Sequence, residues 1–494
     1  MSEDSIVPTK PGKSPQATRG REGSPENRDP LEGKMAGTSS PTTVSTKLQR
    51  IATLAREAPD RVLTTLAHHI DVPFLREAYR RTRKDGAVGS DGQTAQSYAE
   101  DLETNLASLL HRFKAGTYYA PPVRRVYIPK EDGKASRPIG IPSFEDKVLQ
   151  RAVALVLEAV YEQDFLACSY GFRPQRSAHQ ALDACWQQTM QMKGGWVIKI
   201  DIKSYFDTIP HPELRAILNQ RVRDGVLRRT IDKWLKAGVL ENGWVRRVRH
   251  TDTGVPQGSG VAPVLSNLFL HAVLDTWFAS VVKPRLKGAA ALCRFADDAT
   301  ILCARESDAQ RVMAVLPARF AKYGLTLHPD KTRVIRFTRP PYGDPPRRRR
   351  NIPTWPGSVD LLGFPLYWGK AQRGAWVVQR KTDSARLSRA LKRINTWCRE
   401  HRHAKLGWQH QHLVQKLHGH YGYYGKTGNS RCLDQFRRGV IRIWRTWLGR
   451  RSQRSELRWG RFTRLLKRYP LPRVKIVHSS LPTERTSVSE EPDA

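Results

Sequence analysis

The sequence is short of cysteine, of long apolar runs and of acids, and each shortage removes a class of protein. Its 494 residues include six cysteines (Cys168, Cys185, Cys293, Cys303, Cys398 and Cys432), no two at CxxC spacing, so neither a disulfide framework nor a zinc ribbon is indicated. No stretch reaches the ~18 uninterrupted apolar residues of a spanning helix. The N-terminal MSEDSIVPTKPGKSPQ lacks the apolar segment of a secretory signal. These absences predict a cytoplasmic protein without a membrane partner. Acids are outnumbered, 46 Asp and Glu against 84 Lys and Arg, and the resulting net charge of +38 attracts polyanions, nucleic acid before all others. General disorder is excluded, because 13 Trp, 15 Tyr and 14 Phe supply a core.

Residues 1–46 are rich in Ser, Thr, Pro and Gly with almost nothing to bury, and read as a disordered tail. Helical spacing begins at Leu48 and continues in that manner to Tyr79. From 118 to 142 short β-type runs flank Glu131-Asp132-Gly133, a hairpin signature. Helices are expected over 144–163, 177–192, 262–282 and 307–323, and strands over 196–202 and 332–337. The runs 290–295 and 299–303 predict a hairpin with Asp297 and Asp298 at its tip, and 361–368 with 374–379 another. Four arginines between prolines near 347–350 mark a loop, and no internal repeat is visible. After Lys381 the character is wholly helical, so the fold class is α+β followed by an all-α C-terminal region.

Carboxylates inside apolar strands are anomalous in so basic a chain. WVIKID ends a strand at Asp201, and Asp297-Asp298 interrupts two apolar runs. A buried unpaired carboxylate costs several kcal/mol, so each needs a cation. Three converging carboxylates without His or Cys nearby favour Mg²⁺ or Mn²⁺, two ions ~4 Å apart being the apparatus of in-line attack on phosphate. Taken singly, Asp201 reads as readily as a helix cap, and Asp297-Asp298 as a polar turn.

The ordered blocks RVYIPKEDGKASRPIGIPSFEDKVLQ (126–150), YGFRPQRSAHQAL (170–182), IKIDIKSYFDTIPH (198–211), GVPQGSGVAPVLSNLFLH (254–271), RFADDATIL (294–302), GLTLHPDKT (324–332) and LLGF (361–364) resemble those of reverse transcriptases encoded by group II introns. The resemblance implies a right-hand polymerase, with fingers and palm over 47–379 and a helical thumb over 380–424. It implies RNA-directed DNA polymerisation by nucleotidyl transfer, with Asp201, Asp297 and Asp298 catalytic and holding two Mg²⁺ ions, and the Ile202 carbonyl as a further ligand. Lys130 and Arg137 would clamp the incoming dNTP. Phe206 would be the gate against a ribose 2′-hydroxyl, Gln257 would lie near the nascent pair, and Lys331 near the active site. Gly258 and Gly260 would let backbone approach a nucleic-acid strand. The family's central tetrapeptide usually begins with Tyr, where this chain has Phe295.

Residues 431–470 hold 13 Lys or Arg against two acids, with Trp444, Trp447 and Trp459 interleaved. Arginine for phosphate and aromatics for bases suit an RNA-binding surface, although the tryptophans read equally well as core. Residues 413–454 resemble the maturase-specific domain of intron-encoded proteins. That resemblance implies an RNA-binding region over 425–475 with Arg437, Arg438, Arg442, Arg445, Arg450, Arg451 and Arg454 as contacts, then a flexible tail over 476–494. Arg386, Arg389, Lys392 and Arg393 would track the template and primer backbone. Three HxH pairs between His401 and His420 lack Cys or acid at ligand spacing, and no zinc site is expected there. With a Ser/Glu/Pro-rich tail after Pro470, no Cys/His nuclease domain is expected. The implied partners are group II intron RNA, a DNA primer or target site, and dNTPs, with the oligomeric state left open, a dimer among the options. Two alternatives stay open: a splicing cofactor or RNA-binding protein without polymerase activity, and a domesticated reverse transcriptase in repair or defence.

Overall fold

The computed structural model describes residues 43–129, 136–241, 244–246, 252–340, 357–371, 374–452 and 457–479. The first helix is Val44–Glu57, starting ahead of Leu48 because the Thr43 hydroxyl accepts the Thr46 N–H at its N-terminus. It does not run on to Tyr79. Pro59 and Pro73 punctuate the segment, and a second helix, Val72–Arg81, starts afresh behind an Asp71 cap with Pro73 in its first turn.

Strands β1 (Val123–Pro129) and β2 (Ser136–Ile141) form the expected antiparallel hairpin, Ile128 opposite Arg137. After β3 (Trp196–Ile200), two short strands absent from the sequence reading, β4 (Val239–Glu241) and β5 (Trp244–Arg246), extend the hairpin sheet to the order β2-β1-β4-β5. Strands β6 (Ala290–Phe295), β7 (Asp298–Cys303) and β8 (Arg333–Arg336) complete an antiparallel central sheet of order β6-β7-β3-β8. The predicted C-terminal hairpin has a third member: β9 (Val359–Leu361), β10 (Phe364–Lys370) and β11 (Trp376–Arg380) lie in the order β11-β10-β9.

Alternation decides how the central sheet is clothed. Ile198, Ile200, Ala299 and Ile301 point into the main core with the helices Phe144–Tyr161 and Ala262–Leu270. Val197, Leu302 and Cys293 point the other way, against the helix Ala178–Gln191 and β9–β11. From Ala262 the chain stays helical to Arg285, through two π-helical stretches at His271–Asp275 and Phe278–Val282. By length and composition this run could cross a membrane, but in this fold most of it is buried, which explains its apolar character.

Beyond Asp383 the chain is helical, as expected: Ser384–Glu400, Leu406–Tyr424, Ser430–Gly449 and Trp459–Arg468 share one apolar core of Leu387, Ile394, Leu413, Leu417, Phe436, Trp444 and Phe462. Residues 477 and 478, expected in a flexible tail, are instead pinned by hydrogen bonds from both their N–H groups to the Gly425 carbonyl.

Candidate active site

The antiparallel register brings the three acids together. Ile200 pairs with Ala299, so the next step outward sets Asp201 opposite Asp298 at the open end of the sheet. Phe295 pairs with Asp298, which leaves Ala296 and Asp297 as the two-residue tip, Ala296 having φ +55°. Asp298 is therefore a strand residue and not part of the tip. Around Asp201 the backbone is fixed by the 326–332 segment: its carbonyl accepts the His328 N–H (2.8 Å) and the Thr332 hydroxyl (3.1 Å).

Asp297 is open to solvent, yet protein surrounds enough of it that burial pushes its carboxyl above the ordinary value. Arg137 and Arg294 pull it back, and Asp201 repels. Burial likewise raises Asp298, opposed by Lys199 and reinforced by Asp297 and Asp201. Each acid thus sits in the field of the other two. Lys199 Nζ stands 3.8 Å from Asp298, and Lys331 Nζ 3.7 Å from Asp201. One oxygen of Asp298, Oδ1, is buried without a hydrogen-bond partner among the described residues. That oxygen is the one Lys199 faces, and a carboxylate without a full set of hydrogen bonds beside two further carboxylates is a donor set of the type hard divalent cations take. As the side chains stand, no group of three or more acids, histidines or cysteines among the described residues is close enough to hold a metal ion.

The other predicted residues distribute unevenly. Arg137 reaches the field of Asp297 from β2, whereas Lys130 lies outside the described residues. Phe206 is half-buried four residues beyond the bridge between Ile202 and Leu327, its ring 5.4 Å from that of Tyr205. The Gln257 carbonyl accepts the Gly140 N–H of β2 (2.7 Å) and so joins this loop to the hairpin sheet. Gly258, at φ +106°, abuts the same strand: a Cβ there would meet the Gly140 carbonyl at 2.5 Å, and one at Gly260 would meet the Gln150 side chain at 3.4 Å. The close approach expected of these glycines is therefore to protein.

Residues 128–366 match the reverse transcriptase (RNA-dependent DNA polymerase) family. The chain is 38% identical over 233 residues to the group II intron-encoded protein LtrA of Lactococcus lactis subsp. cremoris, covering 45% of this chain and 37% of LtrA. To protein YkfC of Escherichia coli K12 it is 34% identical over 291 residues, 52% of this chain and 75% of YkfC. The chain belongs to the group II intron reverse transcriptase/maturase family. It is also 33% identical over 207 residues to the putative COX1/OXI3 intron 2 protein of Saccharomyces cerevisiae, covering 40% of this chain and 23% of that protein. The chain thus matches little more than a third of LtrA's length and about a quarter of the yeast protein's.

In this reverse transcriptase domain the Phe295 ring lies half-buried, 6.3 Å from Phe172. Sequence reasoning passed over Lys199, Thr332 and Arg294, although a lysine and an arginine inside apolar strands were the available signal. The arginines proposed for RNA separate into groups. Arg437 donates to the Pro472 carbonyl (2.9 Å), Arg445 to Leu457 (3.1 Å) and Arg451 to Ala404 (2.8 Å), so these hold the helical region together. Arg438 pairs with Asp434, Arg450 lies over the Trp447 ring, and Arg442 is exposed. Arg454 lies outside the described residues. The arginine excess therefore has a partial structural explanation that composition did not reveal. Trp444 is fully buried and donates to Gln409, whereas Trp459 is half exposed beneath Arg445.

Proposed function

We propose that this chain is an RNA-directed DNA polymerase and splicing maturase of a group II intron. The observation that carries the reading is the register that brings Asp201, Asp297 and Asp298 to the open end of the central sheet, within one another's electrostatic field. The central sheet would be the palm, the β1–β2 hairpin the fingers and the helices from Ser384 the thumb and maturase region. The three carboxylates would hold two Mg²⁺ ions. Because the Asp201 carbonyl is occupied, a backbone ligand from this strand would come from Ile202. When bound, two divalent ions supply the Lewis acidity that activates a primer 3′-hydroxyl and stabilises the departing pyrophosphate.

The remaining work falls to side chains. Arg137, with Lys130, would take the triphosphate, its planar fork matching phosphate oxygens. Phe206 would press against the sugar and exclude a 2′-hydroxyl, and Gln257 would lie along the nascent pair. Lys331 and Lys199 would supply counter-charge to Asp201 and Asp298. The exposed Arg442 and Arg450 with Trp459 would meet intron RNA, which performs the splicing transesterification itself. Template-directed primer extension by the wild type and by Asp297→Ala tests the reading, with RNA affinity measured alongside.

A further inference from the structure

Directly beneath the catalytic hairpin lies a charge that polymerase chemistry does not touch. Arg294, on β6, is wholly buried, and all five of its N–H donors have partners. Nε and Nη2 grip the two oxygens of Asp275 (2.8 and 2.5 Å), and Nη2 also meets the Ser169 hydroxyl (2.7 Å). Nη1 divides between Asn267 Oδ1 and the carbonyl of Ala296, 3.0 Å each. Asp275 is fully buried too and closes a π-helical stretch, a widened turn that recurs at functional sites.

An ion pair this deep is a poor device for stability, since well-packed apolar replacements are often neutral or better. Its geometry is informative instead. Ala296 is a non-glycine residue in the left-handed region, an arrangement that persists only when its surroundings over-determine it. Those surroundings are Arg294 on its carbonyl and Gly171 against its nitrogen, where a Cβ would stand 2.2 Å from the Ala296 N. Asn267 ties the two together by donating to the Gly171 carbonyl (2.6 Å) while accepting from Arg294. The peptide that carries Asp297 is thus held from below by the hairpin's own Arg294, itself gripped by two separate segments of chain, 169–171 and 267–275.

We infer that Arg294 is a positioning residue of the metal site: with Asp275, Asn267 and Ser169 it fixes the Ala296–Asp297 peptide, and so presents the Asp297 carboxylate to the cations. This rests on the polymerase reading above. Lysine cannot reproduce the fork, so Arg294→Lys should lose either Ala296 or one Asp275 oxygen.

The test is a Mn²⁺ titration of the full chain followed by electron paramagnetic resonance, with primer extension in parallel. Wild type should bind Mn²⁺ in a manner abolished by Asp297→Asn; its failure to do so would overturn the polymerase reading itself. Arg294→Lys, and the apolar pair Arg294→Met with Asp275→Leu, should each bind Mn²⁺ about 10-fold more weakly, the low end of what supporting residues contribute to metal affinity. They should also need more Mg²⁺ for half-maximal extension, while dNTP KM and RNA affinity stay within about twofold of wild type on the same account. Wild-type Mn²⁺ affinity in a folded variant would overturn the inference. Failure of both variants to fold would overturn it as well, because the cluster would then be holding the core and not the tip.

Discussion

Asp183 offers a perturbation whose size can be worked out from its neighbours. This acid, on the helix Ala178–Gln191, receives Lys426 from between two C-terminal helices and Arg380 from the end of β11. The two cations are 1% and 4% exposed, whereas Asp183 is 28% exposed. His179 beside it meets the Tyr423 carbonyl at 2.7 Å, and Asn429 accepts the Thr382 N–H at 2.8 Å, so this is where the helical region is moored. Asp183→Asn strands two buried cations without their counter-charge, which costs about 3–5 kcal/mol. Lys426→Met keeps the packed stem and leaves Asp183 with Arg380 and solvent, for about 1.5–3 kcal/mol. Against a total stability of roughly 5–15 kcal/mol, the first loss is large.

The asymmetry is measurable by denaturant midpoint, with proteolysis near Lys381–Asp383 reporting local release. Burial pushes the Asp183 carboxyl up, but hydrogen bonds from Lys426 and Arg380 outweigh it and hold it below the ordinary value. A depressed carboxyl contributes above its unfolded value, about 3.9, and loses that contribution as pH falls. The gap between wild type and Asp183→Asn should therefore close in acid. Equal or reversed costs for the two variants would mean that Asp183 is not what neutralises the two buried cations.

Asp146 should behave in the opposite sense: burial raises its carboxyl to about 7 despite a hydrogen bond from Trp234 Nε1. Between its ordinary value and about 7 the folded chain keeps a proton that the unfolded chain has lost, so stability falls as pH rises through that window. Asp146→Asn should thus gain on wild type from acid to neutral pH, by about 2–4 kcal/mol on the alkaline side, read from melting at two pH values. Phe206→Val should raise ribonucleotide incorporation in single-nucleotide extension with little change in stability. Among the C-terminal arginines, Arg442→Ala and Arg450→Ala should weaken RNA binding and flatten its salt dependence, while Arg437→Ala and Arg451→Ala should lower the melting temperature first.

Much of the fold was legible because its strands announce themselves by alternation: Val123–Pro129, Trp196–Ile200 and Ala290–Cys303 all stand near where the apolar runs placed them. Asp201 and the Asp297-Asp298 pair stood out for the complementary reason, as acids where apolar residues belong. The short strands β4 and β5 left no comparable signal, since three residues cannot show a period and β4, against which β5 lies, takes its place in the sheet from β1, more than a hundred positions away. Nor does sequence distinguish an arginine that faces RNA from one that caps a carbonyl. Arg442 and Arg437 look alike until Pro472 arrives beside the second. Lys426 is hidden in the same way, a surface residue type made into a mooring by tertiary contact.

On the proposed function, three carboxylates at the end of one sheet would make a metal-dependent polymerase, while the C-terminal helices would bind RNA. Extension of a DNA primer on an RNA template, compared for wild type and Asp297→Ala in one preparation with intron-RNA affinity, tests it most directly. Wild type should extend in a Mg²⁺-dependent manner, the variant should not, and RNA affinity should stay unchanged within about twofold, because only transition-state interactions are removed. Extension that survives the substitution would remove Asp297 from the chemistry, and RNA affinity that disappears with it would mean the two activities share one site.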